Sequence, residues 1–167
     1  MIRLSEHLRP EDIRSLNREL YKRDAAYLAS DVWTEPATET LRHINNVKSS
    51  KVQAAINAVE PFEETEIPRA WSHHMALQCG IHFWPDANHR TAIIGFNLAL
   101  ERATGWNVVL GPEMGQRCVE ESKAARKKLY PNMTMAKLAD AEHQYRKVFA
   151  EFESALVVTE AGSGLLY

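Results

Sequence analysis

Cysteine is scarce in this chain: Cys79 and Cys118 are the only two among 167 residues. Two thiols make no disulfide framework, so both read as free cysteines of a reducing compartment. Neither sign of charge is in excess. Against 22 acidic residues stand 20 lysines and arginines, a formal net charge of −2, without the basic footprint of a nucleic-acid partner. No apolar run approaches a membrane span, and the N-terminus MIRLSEHLRPED has no signal-peptide apolar stretch. Internal repeats and low-complexity segments are missing as well. These absences leave a cytoplasmic protein with no nucleic-acid or membrane partner, residues 1–167 forming one domain large enough to bury a core.

Helical periodicity is what the chain does have. After Pro10, the residues Ile13, Leu16, Leu20 and Tyr27–Leu28 recur at helical spacing. A second helix is predicted from Ala37 to Val59, with Pro36 just ahead of it. EPFEETEIP, residues 60–68, holds two prolines and four glutamates and predicts an exposed loop or short hairpin. RAWSHHMALQCGI, from Arg69, reads as helix again. The next helix, Thr91 to about Arg102, carries Ile93, Ile94, Phe96, Leu98, Ala99 and Leu100 on nearly every side and therefore belongs in the middle of the domain. Thr104-Gly105 stops it. WNVVLGP holds at most a short extended piece, too short to build a sheet. Helices are predicted from Pro112 to Leu129 and from Thr134 to about Val157, and the tail from residue 159 to 167 reads as frayed. The fold class is all-α, with a buried central helix.

The chemistry is concentrated just before that central helix, in HFWPDANHRTA, residues 82–92. Asp86-Ala87-Asn88 favour a tight turn. The first N–H groups of the following helix have no intrahelical partner and, with the helix dipole, attract an anion. Arg90 in the first turn offers a fork of donors suited to phosphate, and Asn88 can orient the loop or donate to a phosphate oxygen. Asp86 beside phosphates suits Mg²⁺, which takes carboxylate oxygen and keeps several waters. His82 can accept the proton of a hydroxyl attacking phosphorus. Residue by residue there is a plainer account, in which Asp-x-Asn is an N-cap or Asx-turn and the arginine is solvated.

HFWPDANHRTA resembles the signature of Fic/Doc proteins, and is most similar to the Doc-like, death-on-curing branch, His-x-Phe-x-Asp-Ala-Asn-Lys-Arg-Thr-Ala. His82, Asp86, Ala87, Asn88, Arg90, Thr91 and Ala92 match that branch, and Trp84 stands where Phe is usual. The resemblance implies a helical fold with a target-docking flap at 60–68 and a signature loop at 82–90. His82 would deprotonate a Ser, Thr or Tyr hydroxyl of a target protein, and Asp86 would hold Mg²⁺. Ala87, Asn88, His89 and Arg90 would face the phosphates of ATP. The family's usual reaction transfers AMP, while the Doc branch transfers the terminal phosphate.

Departures from the signature decide the order of those two reactions. His89 replaces the glycine that leaves room for phosphates in AMP-transferring members, and lacks the permanent charge of the branch's lysine. Ile93 stands where those members carry a second arginine, so one phosphate grip is lost. Phe83 replaces a proline that the Doc branch does without. Phosphotransfer comes first and AMP transfer second. The family's inhibitory Ser-x-x-x-Glu-Gly/Asn helix has its nearest match in SLNREL, residues 15–20, but Leu20 breaks it, so this is read as an ordinary exposed face. If the protein is a toxin, a separate antitoxin chain would silence it.

Two other classes remain open. His73, His74, Cys79, His82, Asp86 and His89 could ligate a metal in a hydrolase, although no pair has zinc-helix spacing and His73 and His74 diverge by about 100° on a helix. His74, Gln78 and His82 share a face that packing alone would explain. The chain could also be a non-catalytic helical partner-binding protein, which His89 and Ile93 favour and the intact His82, Asp86, Asn88 and Arg90 oppose. SKAARKK, ending at Lys128, reads as a solvated basic face. Trp71 and Trp106 read as core residues and Trp84 as the loop's anchor.

Overall fold

The computed structural model describes residues 1–20, 49–81, 87–129 and 135–162. Tyr27–Leu28, the expected helical residues 37–48 and the tail residues 163–167 lie outside them. The described part is helical as expected. Helix α1 (Pro10–Leu20) opens on a proline, whose missing N–H is no loss at a first helical position. The Asp12 carboxylate reaches back to accept from the Arg9 backbone N–H at 3.0 Å, half of a capping box. Helix α2 (Ser49–Asn57) buries Ala55 and Ile56. It stops before Val59, which stays buried in the turn that follows.

The segment 60–68 is tied down at both ends. Phe62 forms an isolated antiparallel bridge with Ile2, with Ile2 N–H donating to Phe62 O at 2.7 Å and Phe62 N–H to Ile2 O at 3.2 Å. Glu63 and Glu66 exchange the two bonds of a capping box, and Glu64–Glu66 make a 3₁₀ turn. Phe62 and Ile67 are buried while Glu63, Glu64 and Thr65 are exposed. The partner of this segment is the N-terminus, and it forms no hairpin of its own. Ile67 already begins helix α3 (Ile67–Ile81), two residues ahead of the expected start, because Pro68 is tolerated in a first turn.

Helix α4 (Asn88–Thr104) is the central one. Thr91, Ala92, Gly95, Phe96, Ala99 and Leu100 are buried on one face, against α1 and α3. Ile93, Ile94, Asn97 and Leu98 on the other face are half-buried. Gly105 ends the helix at φ 77°, with its N–H on Glu101 O at 2.8 Å, a left-handed cap that favours glycine. Strand β1 (Trp106–Leu110) and helix α5 (Pro112–Leu129) follow, then α6 (Met135–Ala150) and strand β2 (Leu156–Glu160). Helix α6 packs mainly on α3. Phe149 meets Trp71 edge-on at 6.0 Å between ring centroids, and Phe96 stacks on Phe62 at 6.5 Å.

Two expectations at the C-terminal end are corrected. The last helix stops at Ala150 rather than near Val157, and WNVVL does build a sheet. β1 pairs antiparallel with β2, Trp106 opposite Glu160 and Leu110 opposite Leu156. The buried stripe of Tyr145, Phe149 and Phe152 continues past the helix end because a 3₁₀ turn at Glu153–Ala155 carries the chain on before it extends. This five-residue strand is paired along one edge with β2 and is bonded at its middle residue on the other. On the side away from β2, the Asn97 carboxamide acts as a stub of strand: Nδ2 donates to Val108 O and Val108 N–H donates to Oδ1, each at 2.9 Å. Asn97→Leu leaves that N–H and C=O unpaired and is expected to cost about 2 kcal/mol of stability. In urea the midpoint should fall with unchanged slope; an unmoved midpoint would make the amide dispensable.

Candidate active site at the head of the central helix

His82, Phe83, Trp84, Pro85 and Asp86 lie outside the described residues, so the expected base and the expected Mg²⁺ ligand are not among the groups whose geometry follows. From Ala87 onward the loop enters α4. Ala87 is the N-cap and takes the left-handed conformation, φ 59° and ψ 21°, with no side-chain cap. That backbone is unusual for any residue but glycine, asparagine or aspartate. Asn88 is buried at the first helical position, one residue after the N-cap. The first helical bond runs from Thr91 N–H to Ala87 O at 2.8 Å. The amides of Asn88, His89 and Arg90 therefore precede the ladder and surround the positive end of the helix dipole. Arg90, at the third helical position, is exposed.

Side chains from three other elements fix this helix head. In α1, buried Asn17 donates Nδ2–H to Thr91 Oγ1 at 2.9 Å. Nothing in the spacing of SLNREL singled Asn17 out, although its polar side chain occupies a position in step with Ile13 on the buried face. His89 is half-buried and its Nε2 meets Ser122 Oγ in α5. Ser122 Oγ also lies 3.1 Å from Val119 O, to which its hydroxyl can donate. The imidazole centroid lies 6.4 Å from that of Phe149 in α6. His89 is thus directed at α5 and α6, an orientation that a search for phosphate ligands in the sequence does not reveal.

The histidines ahead of the loop are turned inward. His74 is fully buried, its ring centroid 5.3 Å from that of Phe96, and its Nδ1 has no hydrogen-bond partner. One turn later the Oε1 and Nε2 of buried Gln78 have none either. Burial pushes His74 down to about 4, against the opposing effect of a hydrogen bond with the Ala92 backbone. His73 is half-buried and is also pushed down to about 4, by burial first and then by Arg146 and Arg69.

Cys79 and Cys118 are both free and buried, and burial raises both thiols, Cys118 to about 12. Neither is a thiolate near neutrality. Among the described residues no three His, Cys, Asp or Glu side chains come together as a metal site. Ser15 and Glu19 are exposed on α1, as are Lys123 and Lys128 on α5. Trp71 is buried, and Trp106 packs half-buried against the core. No helix among the described residues is long and apolar enough to cross a membrane.

Set against protein-family models, curated proteins and solved structures, the chain matches none.

His74 makes stability pH-dependent with a definite sign. Its folded-state pKa of about 4 lies below the ordinary 6.5, so between those values the unfolded chain binds the proton and the folded chain does not. Stability is complete above pH 6.5 and falls by up to about 3 kcal/mol as pH drops toward 4. Urea unfolding at pH 7 and pH 4.5 should show His74→Met losing less stability between the two than the unaltered chain. An equal loss would mean that His74 does not titrate in this way.

Proposed function

We propose that the chain is a Fic/Doc-like protein that transfers the terminal phosphate of ATP to a Ser, Thr or Tyr hydroxyl of a target protein. The observation that carries this reading is the head of α4. The signature loop enters it through left-handed Ala87, ahead of three residues that precede the helical ladder, the third of them exposed Arg90. A triphosphate has the charge and the acceptor oxygens to meet those donors.

In this reading Arg90, Asn88 and the amides about Ala87 hold the phosphate chain. His82 takes the proton as the target oxygen bonds to the γ-phosphorus, and the bond from that phosphorus to the bridging oxygen breaks to release ADP. Asp86 is the carboxylate for Mg²⁺; one carboxylate with substrate oxygens and water is a usual shell for this ion. When bound, Mg²⁺ neutralises charge on the phosphate oxygens. A cytoplasmic toxin, silenced by a separate antitoxin chain, goes with this reading.

AMP transfer is retained as a second reading on one observation. His89 replaces a glycine, but its ring is engaged with Ser122 and lies by Phe149, so its bulk is taken up between α5 and α6. This weakens the steric objection to the AMP-transferring pose of ATP. The missing fork at Ile93 still favours phosphotransfer.

ATP labelled at the α or the γ phosphate distinguishes the two when incubated with Mg²⁺, a cell lysate and the protein or its His82→Ala variant. Label from γ alone, lost in the variant, is the expected result; label from α means AMP transfer. Transfer undiminished in His82→Ala would sink the mechanism. Arg90→Ala should weaken ATP binding roughly tenfold or more, as loss of a charge-assisted fork does, and calorimetry showing unchanged affinity would contradict its role.

A further inference from the structure

Among the described residues, no backbone pairs with the outer edge of β2. Val108 turns its N–H and C=O away from β2, toward the Asn97 carboxamide. Such groups alternate along an antiparallel ladder, so the bonds between β1 and β2 run through Asn107–Thr159 and Val109–Val157. The bond from Ala161 N–H to Gly105 O at 2.8 Å keeps the same step. Leu156, Val158 and Glu160 therefore turn their backbone groups to the far side of β2. There the Leu156 N–H is taken by Glu153 O. The Leu156 C=O, both groups of Val158 and the Glu160 N–H have no partner among the described residues.

That edge has little of the usual protection against pairing. LVVTE, residues 156–160, contains no lysine or proline, the residues that most often keep an exposed edge from accepting another strand. Its valines and threonine favour strand, and its single charge, Glu160, stands at the end. Val157 is 54% exposed, and Met1 is the other large apolar side chain so exposed among the described residues. The opposite edge of the sheet is closed at its middle by Asn97. One edge is thus occupied by a side chain, while the other presents a row of open donors and acceptors.

We propose that β2 pairs with the β2 of a second copy of this chain, antiparallel about a twofold axis at Val158. Self-complementarity points to that occupant. With Val158 opposite its own copy, Val157 meets Thr159 of the second copy and Leu156 meets Glu160. β-Branched side chains thus face one another across the strands. The Glu160 carboxylates are kept apart, four residues along the ladder or roughly 13 Å at 3.3 Å per residue. The open groups match as well: the two Val158 residues exchange N–H to C=O bonds, and each Glu160 N–H donates to a Leu156 C=O. The interface is isologous and closed, since the outer edges of the joined sheet are the β1 edges bonded to Asn97. Strand pairing of this length covers less than a standard interface, so the association depends on concentration. It is independent of the phosphotransfer reading, because no residue of the signature loop takes part.

Sedimentation of the full chain across the micromolar range should show a reversible monomer–dimer equilibrium. Val157→Lys changes a side chain that is more than half exposed, so the fold is not at stake. It brings like charges to neighbouring positions of the joined sheet and should weaken dimerisation tenfold or more. The register is tested separately by the double variant Val157→Cys, Thr159→Cys. It places thiols directly opposite across the axis, at a Cα separation of about 4.5 Å, within disulfide reach. Mild oxidation should link two such chains, and Val157→Cys alone should link far less. A chain that is monomeric throughout, a dimer that Val157→Lys leaves unchanged, or a cysteine pair that links no better than the single cysteine would overturn the proposal.

Discussion

A helix that is apolar on nearly every side has to be covered on every side, and α4 imposes that requirement on the rest of the chain. No single element can meet it. α1 and the N-terminal residues cover the stripe of Ala92, Phe96 and Ala99 from one side, and α3 covers it from another. The remaining face is met by β1, which packs on α4 and is bonded to it through Asn97. Helices dominate the fold, yet its central helix depends on a strand to complete its surroundings. The two-stranded sheet is therefore a partial structural cover for an apolar helix face whose residues remain half-buried.

The same helix supplies the rigid end of the candidate site. A loop that handles phosphate is most useful when the amides at its end cannot drift, since catalytic positioning is lost over fractions of an ångström. Here the first turn of α4 is held from opposite directions, by Asn17 on Thr91 and by Ser122 on His89. Arg90 lies between these anchored positions and is exposed to solvent. The arrangement separates duties within three consecutive residues: two hold the helix head in place, while the one between them keeps its charge available.

Those duties were unequally legible. Helix α5 runs from Pro112 to Leu129 as the sequence indicates, because proline marks the start and the residues between favour helix. The C-terminus of α4 was also legible in Thr104-Gly105. Its N-terminus lies three residues ahead of the start that the sequence predicts, since an alanine in the left-handed region leaves no compositional trace. β2 was absorbed into the preceding helical stripe. Five residues hold too little alternation to announce a strand, and its partner lies far away along the chain. Ser122 and Asn17 were invisible for the same reason, as each acts through a residue in another element. Of the site itself, the sequence shows that Arg90 falls in the first turn of the helix, whereas the direction of the His89 ring depends on what α5 and α6 bring to it.

The strand pair also sets an order of assembly. β1 leaves the ribosome well before β2, with α5 and α6 still to be made between them, and Leu110 has no strand partner until Leu156 appears. During that interval only the Asn97 side can be satisfied, and the other edge of β1 is an open row of donors and acceptors. Such an edge can be joined by another chain as readily as by its own. The stretch from Trp106 to Leu110 thus keeps one unpaired edge in the nascent protein, and synthesis of the final strand is what ends that exposure.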